Sequence, residues 1–114
     1  MKISMPRGDI RDVRFTVYDN TGQDISQIDF DEIFVTFKNN TNMEDYLFQK
    51  KLSDGTVIKG DIGVYQFRIE PKNTDGLRIG TYAFDIELIY ASEVKHTTVG
   101  TLEITPEVTY AANE

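Results

Sequence analysis

Hydrophobic and polar residues alternate along most of this chain with a period of two. The longest run covers residues 82–90, where Tyr82, Phe84, Ile86, Leu88 and Tyr90 alternate with smaller or polar residues. The same alternation covers residues 13–17, 33–37, 65–69 and 102–104. A shorter strand is predicted over residues 46–51 and a weak one over 56–59. This period is typical of β-strands with one face in a core.

Turn-forming residues separate these runs, and no window has the period of a long helix. Asp, Asn and Gly cluster at residues 19–22, 54–55, 61–63 and 75–76. At most one helical turn is predicted, over residues 73–77, with Thr74 available to cap it. Short strands at roughly 8–12-residue spacing predict an all-β sandwich or barrel, and this choice stays open. We expect one domain over residues 1–114, with flexible tails at 1–5 and 111–114.

Residues 75–84 narrow the fold class to an immunoglobulin-like antiparallel β-sandwich of about seven strands. In such domains a Tyr near the start of the sixth strand turns its hydroxyl back onto the preceding corner. Tyr82 is predicted to do this here, and Phe84 takes the place of the second cysteine. Leu77 is predicted to close the bottom of the core, and Gly80 to permit a close approach. Because the chain has no Cys and no Trp, Phe and Tyr must fill the centre.

Composition excludes several classes of function. The chain has 12 Lys and Arg against 19 Asp and Glu, a formal charge of −7, so nucleic acid is an unsuitable partner. Without Cys there is no disulfide framework, zinc ribbon or thiol nucleophile. No apolar stretch is long enough for a signal peptide or a membrane span. We therefore expect synthesis in the cytoplasm and no membrane partner.

A search for catalytic groups gives no enzyme prediction. His96 is the only imidazole and is expected to be a surface hairpin residue. None of the four serines lies in a Gly-x-Ser-x-Gly motif. Asp85 and Glu87 lie on one face of a strand, about 7 Å apart. We interpret them as charged residues of a solvated sheet face and not as a catalytic carboxylate pair. We predict no catalytic residues and no cofactor.

Two further motifs are interpreted as structural. Asp24, Asp29, Asp31 and Glu32 could supply oxygen ligands to calcium. They lack the spacing and central Gly of a calcium-binding loop, which favours a solvated loop and no metal. The tripeptide at residues 7–9, Arg-Gly-Asp, is predicted to form a turn.

The chain resembles small phage and prophage proteins over residues 7–109. The resemblance lies in the Pro-to-Ile segment 71–86, the Arg-Gly-Asp opening, the Asp-Asn-Thr-Gly hairpin at 19–22 and the closing strand at 97–109. These proteins are similar to the immunoglobulin-like N-terminal module of phage baseplate upper proteins. The resemblance implies a non-catalytic head, tail or baseplate component, made in the bacterial cytoplasm and located in the virion. Its implied partners are other virion proteins and copies of itself, as a homo-oligomer.

Two functional hypotheses remain at this stage. The first is assembly through outward-facing apolar side chains, for which Tyr18, Phe34 and Ile89 are the candidates. These side chains could instead cover a second small core or pack under loops. The alternative function is a ligand-binding accessory module, for example one that binds carbohydrate. Its aromatic platform would come from Tyr46, Phe48 or Tyr110, although the lack of Trp counts against it.

Overall fold

The computed structural model describes residues 1–17, 30–39, 45–61 and 63–106, with the backbone alone at residues 93–96. These residues form eight strands and one short helix. In chain order they are β1 (Lys2–Pro6), β2 (Arg11–Thr16), β3 (Glu32–Lys38), β4 (Phe48–Lys51), β5 (Val57–Lys59), β6 (Val64–Ile69), α1 (Pro71–Thr74), β7 (Gly80–Tyr90) and β8 (Glu93–Thr105).

The strands form two sheets that pack face to face. The first has the order β1-β8-β7-β3-β4, and the second has the order β2-β6-β5. In an immunoglobulin domain, strands B, E and D share one sheet, and strands C, F and G share the other. Strands β2, β6 and β5 have the first arrangement, and β3, β7 and β8 have the second. The described strands therefore form an all-β sandwich with immunoglobulin-like strand order.

The alternating sequence pattern explains which side chains fill the space between the sheets. Burial alternates residue by residue along β7, from buried Tyr82 to buried Leu88. The inward residues of β3 are Ile33, Val35 and Phe37, and none of them is exposed. A strand places successive side chains on opposite faces, so each apolar row points to the core.

Phe and Tyr rings occupy the centre of the core, as the lack of Trp and Cys requires. Phe84 is 1% exposed, and its ring centroid lies 5.1 Å from that of Phe37. Phe37 also stacks on Phe48 from β4, at 4.3 Å, and meets the edge of Phe67 from β6 at 6.0 Å. Phe37 therefore links both sheets through aromatic contacts.

The N-terminal segment is not a flexible tail, and that part of the sequence prediction is wrong. Residues 2–6 pair in parallel with β8, and Ile3 and Met5 are almost fully buried. The sandwich is therefore not wholly antiparallel as predicted, because β1 and β8 are parallel. The described residues form eight strands, where about seven were predicted. Residues 111–114 lie outside the described part of the chain.

The helical turn forms two residues earlier than predicted, and Thr74 does not begin it. Glu70 is the N-cap residue, and Pro71 takes the first helical position, where its fixed φ suits the helix and no amide donor is needed. Thr74 is the last helical residue and is fully buried.

Candidate functional site

The corner before β7 has the hydrogen bond that the sequence predicts. The Tyr82 hydroxyl donates to the carbonyl oxygen of Arg78 at 2.6 Å. Leu77 is partly buried and packs against the core, as expected of a residue at its lower end. These contacts fix the entry angle of β7, the strand with the longest inward-facing apolar row.

Gly80 has a different role from the one predicted. A Cβ atom built on Gly80 would meet nothing within 4 Å, so no close approach requires glycine there. Its φ is +154°, a backbone conformation that residues with side chains rarely adopt. Glycine is therefore needed at this corner for its backbone freedom. The close approach occurs at Gly100 instead.

The Arg-Gly-Asp tripeptide is a turn that is bound to the same corner. The Gly8 amide donates to the Thr74 hydroxyl oxygen at 2.8 Å, and Arg7 Nη1 donates to the Leu77 carbonyl oxygen at 3.3 Å. The Asp9 amide closes the turn onto the Pro6 carbonyl at 3.3 Å. These contacts give the tripeptide a structural role between β1 and β2.

The outer face of the five-stranded sheet holds two of the three predicted assembly residues. Phe34 and Ile89 are half-buried and point away from the core, and they are diagonal neighbours across the β3–β7 ladder. Val99 of β8 lies on the same face and is 57% exposed. Tyr18 lies outside the described residues. The structure therefore makes Phe34 and Ile89 diagonal neighbours and places Val99, which the sequence analysis overlooked, elsewhere on the same face.

Charged and polar groups surround these apolar side chains. Lys51 Nζ lies 6.0 Å from the centre of the Phe34 ring, and Glu87 lies opposite Phe34 on β7. Asp85 and Glu87 share this face, as predicted from their spacing. The Oδ1 atom of Asp85 is buried and has no hydrogen-bond partner among the described residues. A buried acceptor without a donor is uncommon and loses free energy relative to a satisfied one.

The described acidic residues of the calcium candidate have structural partners. Glu32 Oε1 accepts the amides of Ile33 and Ser53, each at 3.0 Å. Burial opposes ionisation of Glu32, but the hydrogen bonds from Ser53 and its neighbours prevail and lower its pKa. Asp31 Oδ2 accepts the Ala91 amide at 2.7 Å. Asp24 and Asp29 lie outside the described residues.

The remaining candidates do not converge on a reactive group. His96 lies on β8, where its backbone pairs with Leu88 of β7, and its side chain is not described. Phe48, offered as part of a sugar-binding platform, is stacked on Phe37 and partly buried. Tyr46 is 55% exposed, and Tyr110 is not described. Of the two described rings that were considered for a sugar-binding platform, Tyr46 alone is exposed.

A buried lysine is the principal feature that the sequence analysis missed. Lys50 is 4% exposed, and its Nζ lies 3.0 Å from Asn73 Oδ1 and 3.7 Å from Glu70 Oε1. Burial lowers the pKa of Lys50, while the Glu70 charge acts in the opposite direction. Lys50 is two residues after Phe48 on β4, so the period of a strand places both side chains on the same face. This spacing was the one indication in the sequence that Lys50 points inward.

An open cleft borders this lysine. Its volume is about 270 Å³, and Lys50, Phe67, Arg68 and Glu70 line part of it. Arg68 is held by Asp12 through two contacts, Nε to Oδ1 at 2.7 Å and Nη2 to Oδ2 at 3.1 Å. The described cleft residues therefore include two cation–carboxylate pairs.

Comparison with other proteins does not assign a function to this chain, so the function must be inferred from the fold and the side chains. No protein-family model matches this chain, and no curated protein matches it. In the described ranges, no group of three or more His, Cys, Asp or Glu side chains could hold a metal ion. No helix in the described part of the chain has the length and apolar character that a membrane span requires.

Proposed function

We propose that this protein is a non-catalytic structural component of a phage or prophage virion and that it works by protein–protein assembly. The observation that carries the proposal is the outer face of the five-stranded sheet, on which Phe34 and Ile89 are diagonal neighbours and Val99 is exposed opposite Asp85. The resemblance over residues 7–109 supplies the virion context. Its partners in this proposal are other virion proteins and further copies of this chain.

The assembly face suits a protein partner for physical reasons. Removing Val99 and the exposed parts of Phe34 and Ile89 from water is favourable, in proportion to the apolar area covered. In this proposal the affinity for the partner comes from apolar contact.

Particle composition tests the virion assignment. Particles induced from the source strain are purified, and their proteins are quantified by mass spectrometry. The expected result is this chain in a fixed ratio to the major capsid or tail protein. Absence of the chain from purified particles contradicts the proposal.

A pair of matched variants tests the assembly face itself. Val99→Lys places a charge on this face, and Ile58→Lys places one on the outer face of the three-stranded sheet, where Ile58 is 52% exposed. We expect V99K to reduce incorporation into particles at least tenfold, because a lysine must be desolvated in the interface. I58K is expected to incorporate as the unmodified chain does. Equal incorporation of both variants would exclude this face.

A further inference from the structure

Three functional groups that can form an amide bond meet where the two sheets are joined. Lys50 belongs to β4 of the five-stranded sheet, and Asn73 belongs to α1, which follows β6 of the three-stranded sheet. Lys50 Nζ lies 3.0 Å from the Asn73 side-chain oxygen, and Glu70 Oε1 lies 3.7 Å from the same nitrogen. The lysine amine therefore lies within 4 Å of both a carboxamide and a carboxyl group.

The burial of Lys50 favours its nucleophilic form. Its side chain is 4% exposed, and removal from water disfavours the charged ammonium form. Burial lowers the pKa of this amine, which increases the fraction of uncharged lysine at neutral pH. An uncharged amine has the lone pair that attack on a carbonyl carbon requires.

The surroundings of Asn73 favour attack on its carboxamide. Asn73 Oδ1 accepts the backbone amide of Glu70 at 2.8 Å, in addition to its contact with Lys50. A fixed donor on this oxygen stabilises the negative charge that develops when a nucleophile adds to the carbon. The backbone amide of Asn73 donates to the backbone carbonyl of Glu70 at 2.9 Å, which holds the residue in place. Held proximity of this kind replaces much of the entropy cost of a bimolecular reaction.

We propose that Lys50 and Asn73 form an intramolecular isopeptide bond, with Glu70 as the catalytic proton carrier. The uncharged Nζ adds to Cγ of Asn73, and the Glu70 carboxyl group transfers a proton from Nζ to Nδ2. The Cγ–Nδ2 bond then breaks, ammonia leaves, and the new Nζ–Cγ amide remains. An amine and a primary amide give a secondary amide and ammonia, so atoms balance and no oxidant, metal or cofactor is required.

The bond would link β4 of the five-stranded sheet covalently to α1, the helix that follows β6 of the three-stranded sheet. The chain contains no Cys and so has no disulfide to do this. A link between residues 50 and 73 closes a loop that includes β5 and β6, which restricts the unfolded chain as a disulfide does. This inference does not depend on the proposed function, since the bond can form in a protein with any role.

The intact mass of the purified full chain is the decisive measurement. The expected result is a mass lower than that of the sequence by one molecule of ammonia. Digestion after lysine should then give one branched peptide that joins the segments around Lys50 and Asn73, with no cleavage after Lys50. If the folded chain has the full mass of its sequence after prolonged incubation at neutral and mildly alkaline pH, the proposal is overturned.

Variants separate the cross-link from other losses of ammonia. Lys50→Arg keeps the positive charge but removes the amine nucleophile, so its mass should equal that of its sequence. Lys51→Arg changes the neighbouring outward-facing lysine and should still lose ammonia. If K50R also loses ammonia, the loss arises from another asparagine reaction and the proposal fails.

A third variant tests the role of Glu70. Glu70→Gln keeps the size of the side chain but cannot carry the proton, and general acid–base catalysis contributes about 10²–10⁴-fold in rate. We expect E70Q to form the branched peptide slower by this factor while its circular dichroism spectrum stays unchanged. A purely structural Glu70 would leave the rate of cross-linking the same, which would exclude it as the proton carrier.

Discussion

Gly100 of β8 lies directly opposite Phe84 of β7, and the missing side chain of this glycine makes room for the Phe84 ring. A Cβ atom on Gly100 would lie 2.5 Å from Phe84 Cζ and 2.7 Å from the Met1 carbonyl oxygen. Atoms of these types cannot approach so closely without a shift. Gly100 and Phe84 therefore form one packing unit between the two longest strands.

The first prediction concerns this unit. Gly100→Ala is expected to lower the free energy of unfolding by about 1–3 kcal/mol, the usual cost of overpacking a filled core. The measurement is urea unfolding followed by circular dichroism. Gly76→Ala is the matched control, since its Cβ would meet nothing within 4 Å, and a change within about 0.5 kcal/mol is expected. Equal stability of G100A and the unmodified chain would contradict the packing argument.

The second prediction concerns the Tyr82 corner. Tyr82→Phe keeps the buried ring and removes the hydroxyl that donates to Arg78 at 2.6 Å. We expect a loss of about 0.5–1.5 kcal/mol of stability, the net value of one intramolecular hydrogen bond. Tyr46→Phe removes a hydroxyl from a ring that is 55% exposed and should change stability little. If both variants unfold at the same urea concentration, the corner bond does not stabilise the fold.

Local sequence pattern was sufficient for β7 and for the Tyr82 corner. Five alternating large side chains specify β7, and the Tyr82 bond joins residues four apart, so neither depends on distant parts of the chain. The role of Gly100 was not predictable in this way. It depends on which residue of β7 faces β8, a register that arises only when the two strands pair.

Two other features needed the three-dimensional structure for similar reasons. β1 is short and ends at Pro6, so its two inward residues resemble a loose terminus until β8 is seen beside it. Lys50 lies in the inward row of β4, but its partners Glu70 and Asn73 are about twenty residues away in sequence. A buried charge is tolerated only beside such partners, and sequence periodicity alone does not locate them.

The third prediction tests β1 directly. Met5 is 2% exposed, and Met5→Ala is expected to cost about 2–5 kcal/mol, as truncation of a buried large side chain does. Lys2→Ala removes an exposed side chain from the same strand and should leave stability nearly unchanged. Thermal unfolding by calorimetry distinguishes the two. A flexible N-terminus would instead make M5A and K2A equally harmless.

The fourth prediction concerns the pKa of Asp12. The hydrogen bonds from Arg68, and then its charge, lower the pKa of Asp12 below its ordinary value. The folded state thus binds this proton less tightly than the unfolded chain, in which Asp has a pKa of about 3.9. The stability from the pair is therefore present above that value, and it is lost as the pH falls through the lower pKa of the folded state.

An NMR titration of the Asp12 side-chain carboxyl carbon measures this effect. Arg68→Gln should raise the pKa of Asp12 towards its ordinary value, because it removes both contacts to the carboxylate. Arg14→Gln, on the same strand as Asp12, is the matched control and should leave that pKa where it is in the unmodified protein. High salt should also raise the pKa of Asp12, since this pair is exposed and its charge interaction is screened. An Asp12 pKa that is the same in R68Q as in the unmodified chain would show that Arg68 does not bind Asp12 in solution.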